Sequence, residues 1–300
     1  MNLKLFDDFL LSALREDMPF GDISSEAVFD AANISTARLV AKADGVLCGL
    51  SLFRRVFELL GVPRDTWEIF FADGEKLHKS DVICTFSGPT LALLAGERTG
   101  LNLLQHLSGI AAQTAVAVAA VEGTDAIVTE TRKTLPGLRA LQKYAVRMGG
   151  GHNHRFSLSD AVMLKDNHID AVGGIASAVA KVRAAIGHTV KVEVETRNID
   201  EVRQALEAGT DIIMLDNMAP DDMRKAVVLV NHRAVLEASG GITLANIREY
   251  AETGVDVISI GALTHSVMAL DISMQIAGQS QKNCLQSQGC SGKITLRGKC

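Results

Sequence analysis

The sequence predicts an α/β fold built around a parallel sheet, and three observations support this prediction. From residue 126 onward, short apolar segments typical of strands alternate six times with segments of helical pattern. Such alternation with short loops is typical of a parallel sheet flanked by helices, either closed as a barrel or doubly wound. No G-x-G-x-x-G motif follows the first of these strands, and polar residues gather at several strand ends, which favours the barrel. Apolar residues make up 47% of the chain and aromatic residues 4%, which favours close-packed α/β layers.

The earlier part of the chain has a mixed pattern. Apolar residues at helical intervals predict a helix from about Leu3 to Arg15. Strand-like segments follow, broken by Asp-Gly turns, at residues 35–49, 67–77 and 81–88. A second helical pattern runs from about Leu91 past Ala120.

The later part consists of predicted strands and helices in alternation. The strands are predicted at residues 126–130, 161–165, 190–195, 211–216, 234–239 and 257–261, and the helices at 138–148, 175–186, 199–209, 220–230, 244–254 and 265–276. The final residues lose this periodicity, and their Gln, Ser, Gly and Lys content predicts a disordered or non-native tail at 278–300.

The charge distribution indicates a small anionic ligand rather than a polymer. The formal net charge is −5, which gives no support to binding of nucleic acid or of an acidic membrane. Residues 130–168 nevertheless contain seven Lys or Arg residues against three Asp or Glu residues. Arg132 and Lys133 lie side by side where a strand ends, and two neighbouring like charges are most easily explained by an anion bound between them.

A cytoplasmic location is the simplest prediction. The N-terminal segment is amphipathic and carries acidic residues, so it resembles neither a signal peptide nor a transit peptide. No uninterrupted apolar run approaches the roughly 18 residues that a membrane span requires. Cys48 and Cys84 lie in apolar strand-like segments, and the other three cysteines lack the close pairing of a zinc site.

The residues at the strand ends predict a site, because chemistry in βα barrels takes place where the strands finish. Small residues after the last two strands would expose backbone N–H groups at helix starts, a common anion site, although they could also simply cap tight turns. Glu195 and Asp216, on adjacent strands, could hold Mg²⁺ together with phosphate oxygens, or could form salt bridges with Lys165 or Lys191. The candidate residues are Arg132, Lys133, Lys165, Glu195, Asp216, Ser239, Gly240, Gly241, Gly261 and Ala262.

Other interpretations of the same residues stay open at this point. Lys165 at a strand end could form a Schiff base, as in a barrel aldolase. The segment around Lys42 has a faint likeness to lipoyl or biotinyl carrier domains. His152, Asn153 and His154 spell a nuclease-like H-N-H, but an acidic chain argues against DNA, and a loop that brings His154 and Arg155 to an anion fits better.

Taken in order, these motifs resemble those of the quinolinate phosphoribosyltransferase family, from about residue 10 to 275. The resemblance implies an N-terminal α/β sandwich at 1–112 and an incomplete, open seven-stranded α/β barrel at 113–277, with a helix near 264–277 that packs back on the first domain. It also implies homodimers, and leaves open their assembly into hexamers. The motifs include GERTG (96–100), TRKTLPGLR (131–139), GGGHNHRFSLSD (149–160), LKDNHI (164–169), VEVET (192–196), DIIMLDN (211–217) and EASGGI (237–242).

The resemblance also implies roles for individual residues. Quinolinate would be bound by a set of cations, of which Arg98 comes from the neighbouring subunit. Two carboxylates would hold Mg²⁺ and the ribose hydroxyls. Small residues would bind the 5′-phosphate. The residues are Arg98, Arg132, Lys133, His154, Arg155 and Lys165 for quinolinate, Glu195 and Asp216 for Mg²⁺, and Ser239, Gly240, Gly241, Gly261 and Ala262 for the phosphate. Lys133, Lys165, Glu195 and Asp216 would be catalytic. Glu130 stands where the family pattern has Asp.

The implied reaction joins quinolinate to phosphoribosyl pyrophosphate and gives nicotinate mononucleotide, pyrophosphate and carbon dioxide, a step of NAD biosynthesis. A dicarboxylate ligand would account for the adjacent Arg132 and Lys133, since Arg forks and Lys ammonium groups match carboxylates. Within the same family, a paralogue that acts on another pyridine carboxylate, or one linked to molybdate uptake, is the alternative.

Overall fold

The computed structural model describes residues 2–277, and this chain divides into two compact units. One unit comprises the residues up to His106 together with those from Leu270 onward, and the other is Leu107–Ala269. The boundary between the units falls inside one long helix. The predicted domain limits at 112 and 113 stay predictions, and the tail predicted at 278–300 lies outside the described residues.

The first unit begins with helices and continues with an antiparallel sheet. A 3-10 turn at Leu3–Phe6 is followed directly by the first helix, and together they cover the segment predicted as a helix near Leu3–Arg15. In chain order the elements are α1 (Asp7–Asp17), α2 (Ile23–Val28), β1 (Ile34–Ala41), β2 (Gly45–Val46), α3 (Leu50–Leu59), β3 (Glu68–Ile69), β4 (Lys76–Leu77), β5 (Val82–Pro89) and α4 (Thr90–Ala120).

Aromatic packing stabilises this unit although the chain has few aromatic residues. Trp67 stacks on Phe86 with ring centroids 3.8 Å apart, and Phe57 lies 4.9 Å from both Phe86 and Phe53. The three phenylalanines are fully buried. Because buried aromatic pairs add to the free energy of area burial, α3 and β5 are held together by this cluster.

The second unit contains the predicted alternation of strands and helices. In chain order the elements are β6 (Ile127–Thr129), α5 (Arg139–Met148), β7 (Val162–Leu164), α6 (Asp166–Val172), α7 (Ile175–Ala185), β8 (Val192–Thr196), α8 (Ile199–Glu207), β9 (Ile212–Asp216), α9 (Pro220–Val230), β10 (Val235–Ser239), α10 (Ile247–Ala251), β11 (Val257–Ser259) and α11 (Ala262–His265), followed by β12 (Ile272–Ala277), which belongs to the first unit.

The prediction of a helix at 265–276, which the resemblance places near 264–277, was wrong, because this segment contains a strand. After the short α11, the chain forms β12, which pairs antiparallel with β1 in the sheet order β12-β1-β5-β3. The segment alternates buried Ile272 and Met274 with the more exposed Ser273 and Gln275, which is the two-residue period of a strand.

The six strands of the second unit form one parallel sheet in the order β6-β11-β10-β9-β8-β7. The sheet is open, since β6 and β7 are its two edges. The described residues thus contain the six strands counted in the sequence, where the resemblance implies seven. On the open edge of β6, His152 forms a single parallel bridge with Thr129, so residues near 152 lie where a further strand next to β6 would stand.

The two faces of this sheet differ in chemistry. Val192, Val194, Ile213 and Leu215 point outward into the apolar core under the helices. The alternate residues point to the inner side, and they include Glu193, Glu195, Asp216, Glu237 and Ser239. A polar inner side at the carboxyl ends of parallel strands is the arrangement that a ligand site needs.

Helix α4 is also long and apolar enough, by length and composition, to cross a membrane, and 44% of its most apolar window is buried within the protein. A core helix of a globular protein passes the same test.

Candidate active site

The predicted site residues of the second unit meet at the carboxyl ends of its parallel strands. Arg132 and Lys133 follow β6, Lys165 follows β7, Glu195 lies in β8, Asp216 ends β9 and Ser239 ends β10. Parallel pairing brings all these ends to one edge of the sheet, and the register sets Ser239 beside Asp216 and Glu195 beside Met214.

Arg132 and Lys133 have no ion-pair partner among residues 2–277. The Arg132 side chain is half-buried, and its Nε atom is buried without a hydrogen-bond partner. Lys133 lies against Gly261, since a Cβ atom at Gly261 would come within 2.9 Å of Lys133 Cδ. The Lys133 carbonyl accepts a hydrogen bond from Thr264 Oγ1 at 2.9 Å, which fixes the end of β6 to α11. Two cations thus face the site without counter-charges.

Glu130, at the position where the family pattern has Asp, is fully buried and anchors the neighbouring loop. Its carboxylate forms an ion pair with the buried Lys143 of α5. It also accepts hydrogen bonds from Asn153 Nδ2 at 2.9 Å and from the His154 backbone N–H at 3.2 Å. Lys143 Nζ donates to the His154 carbonyl at 3.0 Å. The backbone of His154 is therefore held at both its N–H and its C=O.

The His154 ring faces two buried carboxylates. Its Nε2 atom lies 3.5 Å from Glu193 Oε2 and 3.3 Å from Glu237 Oε1. Burial alone would lower the pKa of His154, but these two carboxylates raise it to about 10. Burial and the charge of Glu237 also raise the pKa of Glu193. Burial and the two carboxylates therefore act on the ring in opposite directions.

Arg155 is the second cation of this loop. Its Nη1 donates to the Ala161 carbonyl at 2.9 Å, and its Nη2 lies 3.5 Å from Met163 Sδ. Burial and the nearby Arg132 charge lower the pKa of Arg155. Because like charges repel and burial disfavours charge, an anion that binds between Arg132 and Arg155 would relieve both effects.

A second part of the site is acidic and lies beside the first. Glu195 and Asp216 line a cleft of about 160 Å³ together with Asp166. The Lys165 ammonium forms an ion pair with Glu195, one of the structural interactions considered from the sequence. Lys191 instead pairs with Asp211 at 3.3 Å, away from Asp216. Hard carboxylate oxygens gathered at one cleft form a donor set that fits Mg²⁺.

The small-residue loops lie next to these groups. Gly240 has φ +91°, and a Cβ atom there would lie 2.3 Å from Asn217 Oδ1. Asn217 N–H in turn donates to the Ser239 carbonyl at 2.9 Å, so the ends of β9 and β10 are in contact. Gly241 also has a positive φ, of +65°, and Gly261 and Ala262 begin the short α11. The backbone at Gly240 thus requires glycine both for its conformation and for space.

Arg98 is the predicted site residue that belongs to the first unit. It lies in α4, in the first unit, and its side chain is exposed.

Glu193 and Glu237 are residues of the site to which the sequence analysis assigned no role. The signal was present in the sequence: alternation along VLEAS places Glu237 on the same face as Ser239. The inner side also contains Thr129 Oγ1, Ser259 Oγ and Glu193 Oε1, buried polar atoms without hydrogen-bond partners in the described part of the chain. Such unpartnered atoms are rare in folded proteins and are expected where a ligand or water binds.

Comparison with known families agrees with this geometry over nearly the whole chain. Residues 22–108 match the family described as quinolinate phosphoribosyl transferase, N-terminal domain, and residues 110–275 match its C-terminal domain.

Relatives of known sequence and structure give the same result. The chain is 45% identical over 284 residues to a probable nicotinate-nucleotide pyrophosphorylase [carboxylating] of Bacillus subtilis, covering 94% of this chain and 96% of that protein. It is 40% identical over 270 residues to the human nicotinate-nucleotide pyrophosphorylase [carboxylating], covering 88% and 89% of the two chains. The crystal structure of NadC from Streptococcus pyogenes has a TM-score of 0.89 at 43% identity and covers 93% of this chain and 98% of that chain.

Proposed function

The chain belongs to the quinolinate phosphoribosyl transferase family, and from this premise we propose how its site performs the family's reaction. The enzyme transfers a phosphoribosyl group from phosphoribosyl pyrophosphate to quinolinate, with loss of carbon dioxide, and makes nicotinate mononucleotide for NAD biosynthesis.

The observation that best supports the substrate is the set of cations without counter-charges. Quinolinate carries two adjacent carboxylates on a planar ring, and Arg132, Lys133 and Arg155 offer charges that lack ion-pair partners within residues 2–277. Charge-assisted hydrogen bonds from guanidinium groups to carboxylates are among the stronger polar contacts in proteins. Lys165, together with the loop that contains His154, completes the proposed quinolinate-binding set in this unit.

The phosphoribosyl pyrophosphate would lie across the acidic cleft and the small-residue loops. Ser239, Gly240, Gly241, Gly261 and Ala262 would bind the 5′-phosphate through backbone N–H groups and the serine hydroxyl. Glu195 and Asp216 would hold Mg²⁺ and the ribose hydroxyls. When bound, Mg²⁺ would offset the charge of the departing pyrophosphate.

The chemistry requires positioning and charge more than covalent catalysis. Pyrophosphate leaves C1 of the ribose through a cationic, oxocarbenium-like state, and Lys165 stabilises the departing anion. The pyridine nitrogen then attacks C1. The N-alkylated ring is cationic, so it stabilises the electron pair left at C2 when the 2-carboxylate departs as carbon dioxide, and C2 then takes up a proton from water. Lys133, Arg132 and Arg155 keep the ring nitrogen aligned with C1, and such alignment can supply much of the rate.

The Schiff-base alternative has a specific observation against it. A lysine that forms a Schiff base must present a neutral amine. Lys165 is instead paired with Glu195 as an ammonium group.

We also propose that the enzyme is a cytoplasmic homodimer in which Arg98 enters the neighbouring subunit's quinolinate site. The exposed position of Arg98 supports its availability to a second chain, and the buried thiols of Cys48 and Cys84 fit a reducing compartment.

A substrate panel tests the proposed function. Purified protein is incubated with phosphoribosyl pyrophosphate, Mg²⁺ and either quinolinate, nicotinate or another pyridine carboxylate, and nucleotide products are separated by chromatography. Nicotinate mononucleotide from quinolinate, absent when Mg²⁺ is omitted, is the expected result. A product from a different acid alone would contradict the proposal and identify a paralogue.

A further inference from the structure

Two buried carboxylates at the floor of the site have no role in the reaction proposed above. Glu193 lies in β8 and Glu237 in β10, and their exposed fractions are 2% and 3%. Burying a carboxylate is costly unless it has a partner, and neither Glu193 Oε1 nor Glu237 Oε1 has a hydrogen-bond partner in the described part of the chain. Both carboxylates face one atom, His154 Nε2.

The other ring nitrogen of His154 is also occupied. The backbone N–H of Arg155 donates a hydrogen bond to His154 Nδ1 at 2.7 Å. A ring nitrogen that accepts a hydrogen bond carries no proton, so the ring proton lies on Nε2, the atom within 3.3 and 3.5 Å of the two carboxylates. The ring thus has a hydrogen bond at Nδ1 and two carboxylate charges beside Nε2.

A metal ion is the competing explanation for this group. The ligand atoms of His154, Glu193 and Glu237 all lie within 4.8 Å of one another, a spacing that a cation could bridge. A metal on Nε2 would require the ring proton to sit on Nδ1 and to donate outward. The Arg155 N–H already points at Nδ1 as a donor, so the geometry favours a proton on Nε2 over a metal ion there.

The contacts continue from the ring to the substrate-binding arginine. Glu130 and Lys143 fix the backbone of His154, which leaves the direction of its ring to Glu193 and Glu237. The ring then fixes the Arg155 backbone through Nδ1, while the Arg155 guanidinium keeps N–H groups beyond its contacts with Ala161 and Met163.

We propose that Glu193 and Glu237 are positioning residues of the quinolinate site, which fix His154 as the Nε2–H tautomer so that its Nδ1 holds Arg155 in place for the substrate. The effect on substrate binding rests on the proposed function, but the state of the His154 ring does not. A proton on Nδ1 would point at the Arg155 N–H only 2.7 Å away, so the geometry leaves Nδ1 unprotonated even though the two carboxylates raise the pKa of the ring.

The first test observes the ring directly, without substrate. Protein labelled with nitrogen-15 at histidine is examined by long-range nitrogen–proton correlation at neutral pH, and the His154→Gln variant identifies the signals of His154. A protonated Nε2 with an unprotonated Nδ1 is expected. Protons on both nitrogens, or on Nδ1 alone, would overturn the proposal, whether or not the protein turns over quinolinate.

The second test measures steady-state kinetics of Glu237→Gln, which keeps the shape of the side chain and removes its charge. We expect the KM for quinolinate to rise about tenfold, with the KM for phosphoribosyl pyrophosphate unchanged. Glu249→Gln, the same change at an exposed position of α10, is the control and should match the wild type.

The outcomes separate the two proposals. A lower kcat with an unchanged KM for quinolinate in Glu237→Gln would indicate only a smaller folded fraction and would contradict the positioning role. If Glu237→Gln does not fold, the ring state of the wild type still tests the inference. Wild-type protein without turnover of quinolinate would overturn the proposed function and leave the nitrogen-15 result to be judged by itself.

Discussion

At the scale of single residues, the site depends on charges that the protein leaves unpaired and on charges that it pairs deep inside. Arg132, Lys133 and Arg155 have no ion-pair partner in the described part of the chain and are proposed to bind the substrate. Lys143 and Glu130 instead form an ion pair with each other. The difference follows from burial: Lys143 and Glu130 are almost completely buried, where an unpaired charge would be costly, while Lys133 is exposed to water.

Replacing Lys133 by Ala should chiefly damage quinolinate binding. Loss of one charge-assisted contact predicts a KM for quinolinate raised roughly 10- to 100-fold, with a smaller change for phosphoribosyl pyrophosphate. Steady-state kinetics with each substrate varied in turn measures this. Lys225→Ala, at an exposed lysine of α9, serves as the control. An unchanged KM for quinolinate in Lys133→Ala would remove this residue from the proposed site.

Breaking the Glu130–Lys143 pair should destabilise the fold. Glu130→Gln leaves the Lys143 ammonium buried without its counter-charge, and the expected loss is about 3–5 kcal/mol of unfolding free energy in urea. The double variant Glu130→Met with Lys143→Met removes both charges and should lose clearly less. Equal losses in the single and double variants would show that the pair contributes through its contacts with residues 153 and 154 rather than through charge.

Residue-level prediction from sequence succeeded where a residue's position along a strand was enough. Glu195 and Asp216 could be assigned to neighbouring strand ends because each ends a short, clearly apolar segment. The group of His154, Glu193 and Glu237 required the register of three separate segments, and a loop such as that around residue 154 has no periodicity from which its position could be predicted.

At the scale of secondary-structure elements, the parallel sheet sets the site. Its strands are apolar toward the helices and polar toward the inner side, so the same alternation that buries Val192 and Val194 places Glu193 and Glu195 in the site. The loops after the strands then contribute conformations that strands cannot adopt, as at Gly240.

Gly240→Ala tests the loop after β10. A Cβ atom would meet Asn217 Oδ1 at 2.3 Å in a backbone conformation with φ +91°, so we expect a loss of roughly 1–3 kcal/mol of unfolding free energy. The KM for phosphoribosyl pyrophosphate should also rise, since the loop is the proposed phosphate site. Gly187→Ala, where a Cβ atom meets nothing within 4 Å, is the matched control. Equal stability and kinetics in the two variants would contradict this account of the loop.

The sequence predicted elements well where neighbours in the chain are also neighbours in the sheet. The successive units β8, β9 and β10 pair in chain order, and their short loops made the alternation visible. Strand β12 was misread as a helix because its partner β1 is far away in the chain. A short apolar segment cannot be assigned from periodicity alone, and the long-range pairing settles its conformation.

At the scale of the whole molecule, the sequence predicted a mixed N-terminal region followed by a barrel, and the structure has two compact units. The return of the C-terminal strand β12 to the first unit was not predicted. The proposed assembly of two chains is a property that the isolated chain does not display. Arg98, in the first unit, is the residue on which that proposal depends.

Subunit complementation tests the proposed dimer. Arg98→Ala and Lys133→Ala are each expected to be nearly inactive at low quinolinate concentration. If Arg98 acts in the neighbouring subunit, a mixed dimer of the two variants contains one intact site, so co-expression should restore up to about one quarter of wild-type activity. Mixing Lys133→Ala with Arg132→Ala is the control and should restore none of it. No recovery with Arg98→Ala would show that each site is built from a single chain.

The most direct measurement of the central claim follows both products of one turnover. Quinolinate labelled with carbon-14 in its 2-carboxylate is incubated with the wild-type protein, phosphoribosyl pyrophosphate and Mg²⁺, and released carbon dioxide is counted beside nicotinate mononucleotide. Equal amounts of the two products, with little of either from Lys133→Ala, is the result expected here. Nucleotide that retains the label, or no turnover by folded wild-type protein, would contradict decarboxylating transfer to quinolinate.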